Sequence, residues 1–356
     1  MSLQDQFEAF HHTIELNRDS PSYLEAKKKD EVIYKKIKNS FKKAGYDIER
    51  TEILGSMGTH TGVQPLEGDR YNINRAVFIT QASSPDDPVK IKKLVKKILQ
   101  RNGFTKAHIK NPCITANALR KPLSISYVIY QEDWVSGIKI AIGKEHSSDT
   151  YRIWDTCDPD GLKKWLTWKD TWIDVSSIEQ QQFYRLVRYM KRWRDHQYQD
   201  HEADKQKIFS ICLTIMVHEC MYFSFDTNEQ PHDHIALKNT VKKILSNAYF
   251  TETSSSQNQS ELEYDICVKL PKDPYRDIFN GRGRNIANLF YQKLNQLLLS
   301  LEQVSKEKNL TQQCEILRQE LGTDFPLATT TTTNNTENER SDNGEIQTQD
   351  THAKEK

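Results

Sequence analysis

Apolar residues recur every three to four positions over residues 3–14 and 23–44. In the second run Ile33, Ile37 and Phe41 share one side and Gly45 follows as a stop, so two helices open the chain. Short β-rich runs come next, at 48–54, 76–80, 109–115, 124–130 and 138–142. Between the second and third of them, residues 88–101 read as a helix that buries Ile91, Leu94, Val95, Ile98 and Leu99. Strands interleaved with helices predict an α+β or α/β domain of catalytic type. From Asp158-Pro159 onward the pattern is helical, over 161–169, 177–196, 205–225, 235–248 and 284–308, with a polar loop at Ser254, Ser255, Ser256, Gln257 and Asn258. These patterns divide the chain into a mixed-sheet core with N-terminal helices (1–160), a helical domain (161–327) and a polar tail (328–356).

Composition supports the division. From Thr329 the chain has one large aliphatic residue, Ile346, and six acidic against three basic residues, so it cannot offset its ordering entropy and is expected to be disordered. The remaining body holds 47 basic and 43 acidic residues and is mildly basic. The longest apolar run, 208–225, is broken by Ser210, Thr214, His218 and Glu219, which excludes a membrane span, and the N-terminus has no basic or apolar leader region. A cytoplasmic protein is expected. Its six cysteines are far apart, with no C-x-x-C pair, and read as reduced thiols. His218-Glu219-Cys220, His232-Asp233-His234, His196 and His201 lack the paired spacing of a zinc site. No phosphate-binding P-loop and no hydrolase elbow occurs.

The informative chemistry lies in Leu54-Gly55-Ser56-Met57-Gly58-Thr59-His60-Thr61-Gly62-Val63-Gln64-Pro65, followed by Asp69-Arg70-Tyr71-Asn72-Ile73-Asn74-Arg75-Ala76-Val77-Phe78-Ile79. A Gly-Ser turn after a strand lets backbone N–H groups and a hydroxyl approach a phosphate, and a helix starting there would add a positive dipole. Polar residues at i and i+2 of the next strand, Asn72 and Asn74, point to one face of the sheet. That order resembles the polymerase-β-like nucleotidyltransferases, and within them the bacterial cGAS/DncV-like enzymes (CD-NTases) that make cyclic oligonucleotide messengers. The resemblance extends through Trp154-Asp155-Thr156-Cys157-Asp158-Pro159-Asp160-Gly161-Leu162, the helix 185–195 and Val268-Lys269-Leu270-Pro271.

The resemblance implies an α+β, bilobal protein: a polymerase-β-like core with a mixed sheet, plus a C-terminal helical domain and a cleft between them. It implies nucleotide contacts at Gly55, Ser56, Thr61, Lys191 and Ser210, nucleoside triphosphates (ATP foremost) as ligands, and a bacterial antiphage signalling operon with regulatory protein partners. It also implies a site for Mg²⁺ or Mn²⁺ on three aspartates, but the matching positions here are Asn72, Asn74 and Ser126. Magnesium is anchored by carboxylates, so metal binding and two-metal catalysis should be impaired while nucleotide binding persists. Two alternatives follow. One is an active synthase using other acids, such as Asp69, Glu132 or Asp133; the other is an inactive sensor or scaffold for a nucleotide, nucleic acid or protein. The lysine runs 27–43 and 90–97 read chiefly as solvated helix faces, with nucleic acid the weaker reading.

Overall fold

The computed structural model describes residues 2–169, 176–253, 263–281 and 284–328. The tail from Thr329 and the loop Ser254 to Asn258 lie outside the described residues. Helix α1 (Leu3–Ile14) begins in a reciprocal cap, in which the Ser2 hydroxyl accepts from the Asp5 N–H and the Asp5 carboxylate from the Ser2 N–H. Helix α2 (Pro21–Lys43) starts on proline, whose missing N–H costs nothing at that position, and ends before Gly45 at φ 82°.

Strand β1 (Ile48–Leu54), the single turn α3 (Gly55–Gly58), β2 (Tyr71–Thr80), α4 (Pro88–Arg101), β3 (Phe104–Ile109), β4 (Ile114–Ala118), β5 (Leu123–Asp133), β6 (Gly137–Ala141) and β7 (Trp154–Thr156) build a seven-stranded mixed sheet. Its order is β1-β2-β5-β4-β3, with β6 on the far half of β5 and β7 beyond it. The one parallel pairing is β2 with β5, in register from Tyr71 opposite Leu123 to Thr80 opposite Glu132. The run 109–115, read from sequence as one strand, is a hairpin: Cys113 accepts from the Lys110 N–H, and β3 and β4 diverge from it. Residue alternation then sorts the two faces. Ile73, Val77 and Ile79 join Ile33, Ile37, Phe41, Ile91 and Val95 under α2 and α4, while Ala76, Phe78 and Tyr130 face the other side.

The rest is mostly helical: α5 (Pro159–Leu166), α6 (Ser177–Gln197), α7 (Glu202–Lys205), α8 (Ser210–Cys220), α9 (Asp233–Leu245), α10 (Arg284–Lys306) and α11 (Leu310–Leu321). Three features depart from the sequence reading. A small hairpin, β8 (Phe250–Thr253) with β9 (Glu263–Ile266), interrupts the helices. The expected helix 205–225 is shorter, because backbone from Met221 is extended. Finally, α11 went unread from the sequence; Asn309 caps it by accepting from the Thr311 and Gln312 N–H groups.

Helix α1 packs in the helical core, not with the sheet. Phe7 and Phe10 are fully buried against Tyr189 and Phe325, with ring centroids 5.1–5.5 Å apart. Burying each such ring contributes on the order of 2–3 kcal/mol, which is enough to draw the first helix across to the second lobe.

Candidate functional site

The site begins where β1 runs into α3. Gly55 sits at φ 66°, and a side chain there would put Cβ 2.6 Å from Asn74 Nδ2, so only glycine allows the turn to lie against β2. The helix that follows is four residues long, so the expected dipole contribution at Ser56 is that of a single turn. The next loop is fixed from the opposite lobe by three cations of α6. Arg188 Nε donates to the Gly62 carbonyl (3.1 Å) and its Nη2 to the His60 carbonyl (2.8 Å) and to Glu15 (2.7 Å). Lys191 Nζ donates to Thr61 Oγ1 (2.7 Å) and the Thr61 carbonyl (3.0 Å), and Arg192 Nη2 to the Gln64 carbonyl (2.8 Å).

Two residues read as nucleotide ligands therefore hold each other. Thr61 is fully buried, and Lys191, itself buried, has its pKa lowered to about 7 by burial and by the nearby Arg194 and Arg188 cations. Ser210 is the first residue of α8, where its hydroxyl accepts from Arg194 Nη1 (3.0 Å). Thr61, Lys191 and Ser210 do not line the cavity that opens beside Ser56, so of this set only Ser56 and its turn face it.

Asn72, Asn74 and Ser126 lie close together on neighbouring strands. Asn74 lies opposite Ser126 and Asn72 opposite Ser124 in the parallel pairing, and β4 sets Thr115 opposite Ser126 and Asn117 opposite Ser124. Asn72 Nδ2 donates to Asn74 Oδ1 (3.3 Å), and Ser126 Oγ donates to Thr115 Oγ1 (3.0 Å). The result is a polar patch without a formal charge. Its amide and hydroxyl oxygens do not fit a divalent cation, which needs carboxylate charge to compete with water. The other acids considered from sequence are engaged elsewhere. Asp69 pairs with Lys205 (2.7 Å), Glu132 with Arg50 (2.9 Å), and Asp133 accepts the Val135 and Ser136 N–H groups, which lower its pKa. Glu132 is also six residues along β5 from Ser126, roughly 20 Å away.

Beside Ser56 a cavity of about 220 Å³ opens between the lobes, lined by Arg18, Ser56, His60, Gln181, Tyr184 and Arg188. Its lining carries Arg18 and Arg188 against one acid, Glu15, which pairs with Arg188. His60, at φ 57° with its ring 6.0 Å from that of Tyr184, is held below its ordinary pKa first by partial burial and then by Arg18, Lys169, Arg188 and Lys163. Sequence reading did not find His60, Gln181, Tyr184, Arg18 or Thr115. His60 is flagged in the sequence only by its place inside the Gly-Ser turn, and the others need the tertiary fold to bring them in. The histidines weighed as zinc ligands lie apart: His218 is stacked between Trp165 and Trp168, at 3.6 and 4.0 Å, and the His234 ring nitrogen meets the Leu301 carbonyl at 2.9 Å.

No family model matches the chain. Among solved structures it is similar to the Vibrio cholerae DncV cyclic AMP-GMP synthase, described as a prokaryotic cGAS homolog, at 16% identity over 91% of this chain and 87% of that one, with a TM-score of 0.56. The same enzyme in complex with the linear intermediate 5′ pppA(3′,5′)pG matches at 15% identity, the same coverage and a TM-score of 0.57. Escherichia coli DncV in its 3′-deoxy GTP bound form matches at 14% identity over 78% and 70% of the two chains, with a TM-score of 0.55. The chain has the DncV fold. It is thus a mixed-sheet nucleotidyltransferase fold with a helical lobe, and no described helix is long and apolar enough to cross a membrane.

Proposed function

We propose that this protein is a cGAS/DncV-like nucleotidyltransferase homologue that binds a nucleoside triphosphate without a divalent metal and does not catalyse nucleotidyl transfer at an appreciable rate. The observation that carries this reading is the register of β2 with β5, which brings Asn72, Asn74 and Ser126 together as neutral groups beside Gly55 and Ser56. Carboxylates at these three positions would hold divalent metals, whose chemistry would be to activate the attacking hydroxyl and offset developing charge. Neutral amides do none of these, but Asn Nδ2 and Ser Oγ are hydrogen-bond donors where carboxylates are only acceptors. Phosphate oxygens approaching from the Ser56 side would meet donors there and the cations around His60, so their charge is offset by the protein. The vanished repulsion of three carboxylates works in the same direction.

By the same resemblance, its setting is a bacterial antiphage signalling operon. It would work there as a sensor or scaffold whose state reports nucleotide occupancy to protein partners. An active synthase with displaced acids is disfavoured by the engagement of Asp69, Glu132 and Asp133 in contacts of their own. The test is turnover of labelled ATP, GTP, CTP and UTP with Mg²⁺ or Mn²⁺ by the protein and by a variant carrying Asn72→Asp, Asn74→Asp and Ser126→Asp. The expected result is binding without product for the first and oligonucleotide from the second. Product from the unaltered chain would overturn the reading.

A further inference from the structure

Helix α1 closes on His11-His12-Thr13-Ile14, with Glu15 as its C-cap, and this end meets the loop that leads out of the Gly-Ser turn. The Leu16 N–H donates to the Gly62 carbonyl (3.1 Å), the Gln64 N–H to the Ile14 carbonyl (2.8 Å), and Glu15 forms a single β-bridge with Val63. Glu15 Oε1 accepts from Arg188 Nη2 at 2.7 Å, and the same guanidinium holds the His60 and Gly62 carbonyls.

Among the described residues, His11, His12 and Glu15 form the one group of three or more His, Cys, Asp or Glu whose ligand atoms all lie within 4.8 Å of one another. Glu15 follows His11 by four positions, so both side chains project from one side of the helix end. Their facing atoms, His11 Nε2 and Glu15 Oε2, are 3.9 Å apart. That is too long for a hydrogen bond. It is not an ion pair at neutral pH either, because burial, followed by the Arg188 and Arg185 cations, lowers the His11 pKa to about 3. The other ring nitrogen, Nδ1, is buried without a hydrogen-bond partner among the described residues. A neutral imidazole nitrogen therefore faces a carboxylate oxygen across a gap close to two metal–ligand bonds of about 2.0–2.1 Å each.

The geometry points to a transition-metal site of the zinc class, held by His11 Nε2, Glu15 Oε2 and the His12 ring, with water completing the coordination. His12 is exposed, so its ring is free to turn and close the set. Two imidazoles with one carboxylate suit Zn²⁺ and the neighbouring transition metals, whereas Mg²⁺ and Ca²⁺ take oxygen ligands. The last turn of α1 adds the negative end of its dipole. The two nearby arginines oppose a cation less than their number suggests. Arg185 is committed to Asp233 at 2.6 Å, and Arg188 is matched by the second oxygen of Glu15. The Glu15 carboxylate then bridges, with Oε2 on the metal and Oε1 on the guanidinium that grips the loop at His60 and Gly62. Occupancy staples the end of α1 to α6 and to this loop and stabilises their junction. The site is distinct from Asn72, Asn74 and Ser126, and it does not rest on the nucleotide reading.

The test uses the full chain, stripped with EDTA and dialysed, then titrated calorimetrically with Zn²⁺ and in parallel with Mg²⁺. A third arm follows Co²⁺ by its visible absorption. The expected result is one Zn²⁺ per chain, a Co²⁺ spectrum that Zn²⁺ displaces, and no comparable binding of Mg²⁺. His12→Ala, at an exposed position, and His11→Phe, which keeps a ring beside Tyr189, should each weaken Zn²⁺ at least about tenfold. His146→Ala, exposed in the loop before β7, should change it less than about twofold. The thermal midpoint should rise with Zn²⁺ concentration in the unaltered chain and in His146→Ala, but not in His12→Ala. No Zn²⁺ binding, Zn²⁺ binding that His12→Ala and His11→Phe leave intact, or Mg²⁺ bound as tightly as Zn²⁺ would overturn the site. Nucleotide affinity in excess EDTA does not enter this test, so each reading stands or falls without the other.

Discussion

Lys191 Nζ lies 2.7 Å from Thr61 Oγ1 and 3.0 Å from the Thr61 carbonyl, so the ammonium on the long helix clamps the turn that carries Ser56. Lys191 is buried and touches the loop, so its loss should appear first in stability. Lys191→Ala is expected to cost about 2–4 kcal/mol, because the Thr61 oxygens lose their donor and a cavity forms. Urea unfolding checks this. A residue that only gripped phosphate would lower nucleotide affinity and leave the unfolding midpoint in place.

Gly55→Ala should disable the site from the other side of the turn. The added Cβ meets Asn74 Nδ2 at 2.6 Å, at a backbone angle that L residues disfavour. The expected loss is about 1–3 kcal/mol of stability together with at least about tenfold in ATP affinity, read by thermal unfolding and by isothermal titration calorimetry. Unchanged affinity would separate the Gly55 turn from the ligand.

Asp30 is the buried hub between α2 and the sheet. It accepts from Arg75 Nε (2.7 Å) and from the Tyr127 hydroxyl (2.7 Å), and it is fully buried. Asp30→Ala leaves the Arg75 guanidinium without its buried partner and should destabilise by about 3–5 kcal/mol. Replacing both residues, as Asp30→Leu with Arg75→Met, should recover part of that loss in denaturant melts, since the stranded charge is then gone.

Acid should unfold the helical lobe through His218. Burial between Trp165 and Trp168 holds this imidazole neutral and lowers its pKa to about 4, against about 6.5 in the unfolded chain. Between those values the unfolded state binds the extra proton, so stability rises with pH across the window. The contribution is fully present above about pH 6.5 and is lost as pH falls towards 4, on the order of 2–3 kcal/mol. His218→Phe should flatten this part of the stability profile, measured by urea melts from pH 4 to 8.

Much of this fold was legible because its elements have local causes. The bounds of α1 and α4 follow from Ser2 and Asp87, which cap them, and from the apolar spacing behind each cap. The proximity of three polar positions was legible: Asn72 and Asn74 follow from the i, i+2 rule, and Ser126 lies opposite Asn74 where β5 runs beside β2. Other features were not readable locally. The direction in which Lys191 and Arg188 point depends on how α6 crosses the loop 60–64, a contact across more than 120 residues. Helix α1 was assigned to the sheet side because sequence order was the guide, whereas Phe7 and Phe10 follow the larger apolar surface around Tyr189. The β8–β9 hairpin is four residues per strand, too short for its alternation to stand out among helices.

The most direct test of metal-free nucleotide binding is calorimetric titration of the unaltered protein with ATP and with GTP, once in excess EDTA and once in excess Mg²⁺. The account expects at least one nucleotide to bind in both with affinities within about threefold, and no pyrophosphate released over hours. Binding only when metal is present, or release of pyrophosphate, would contradict it and return a working metal centre to this cleft.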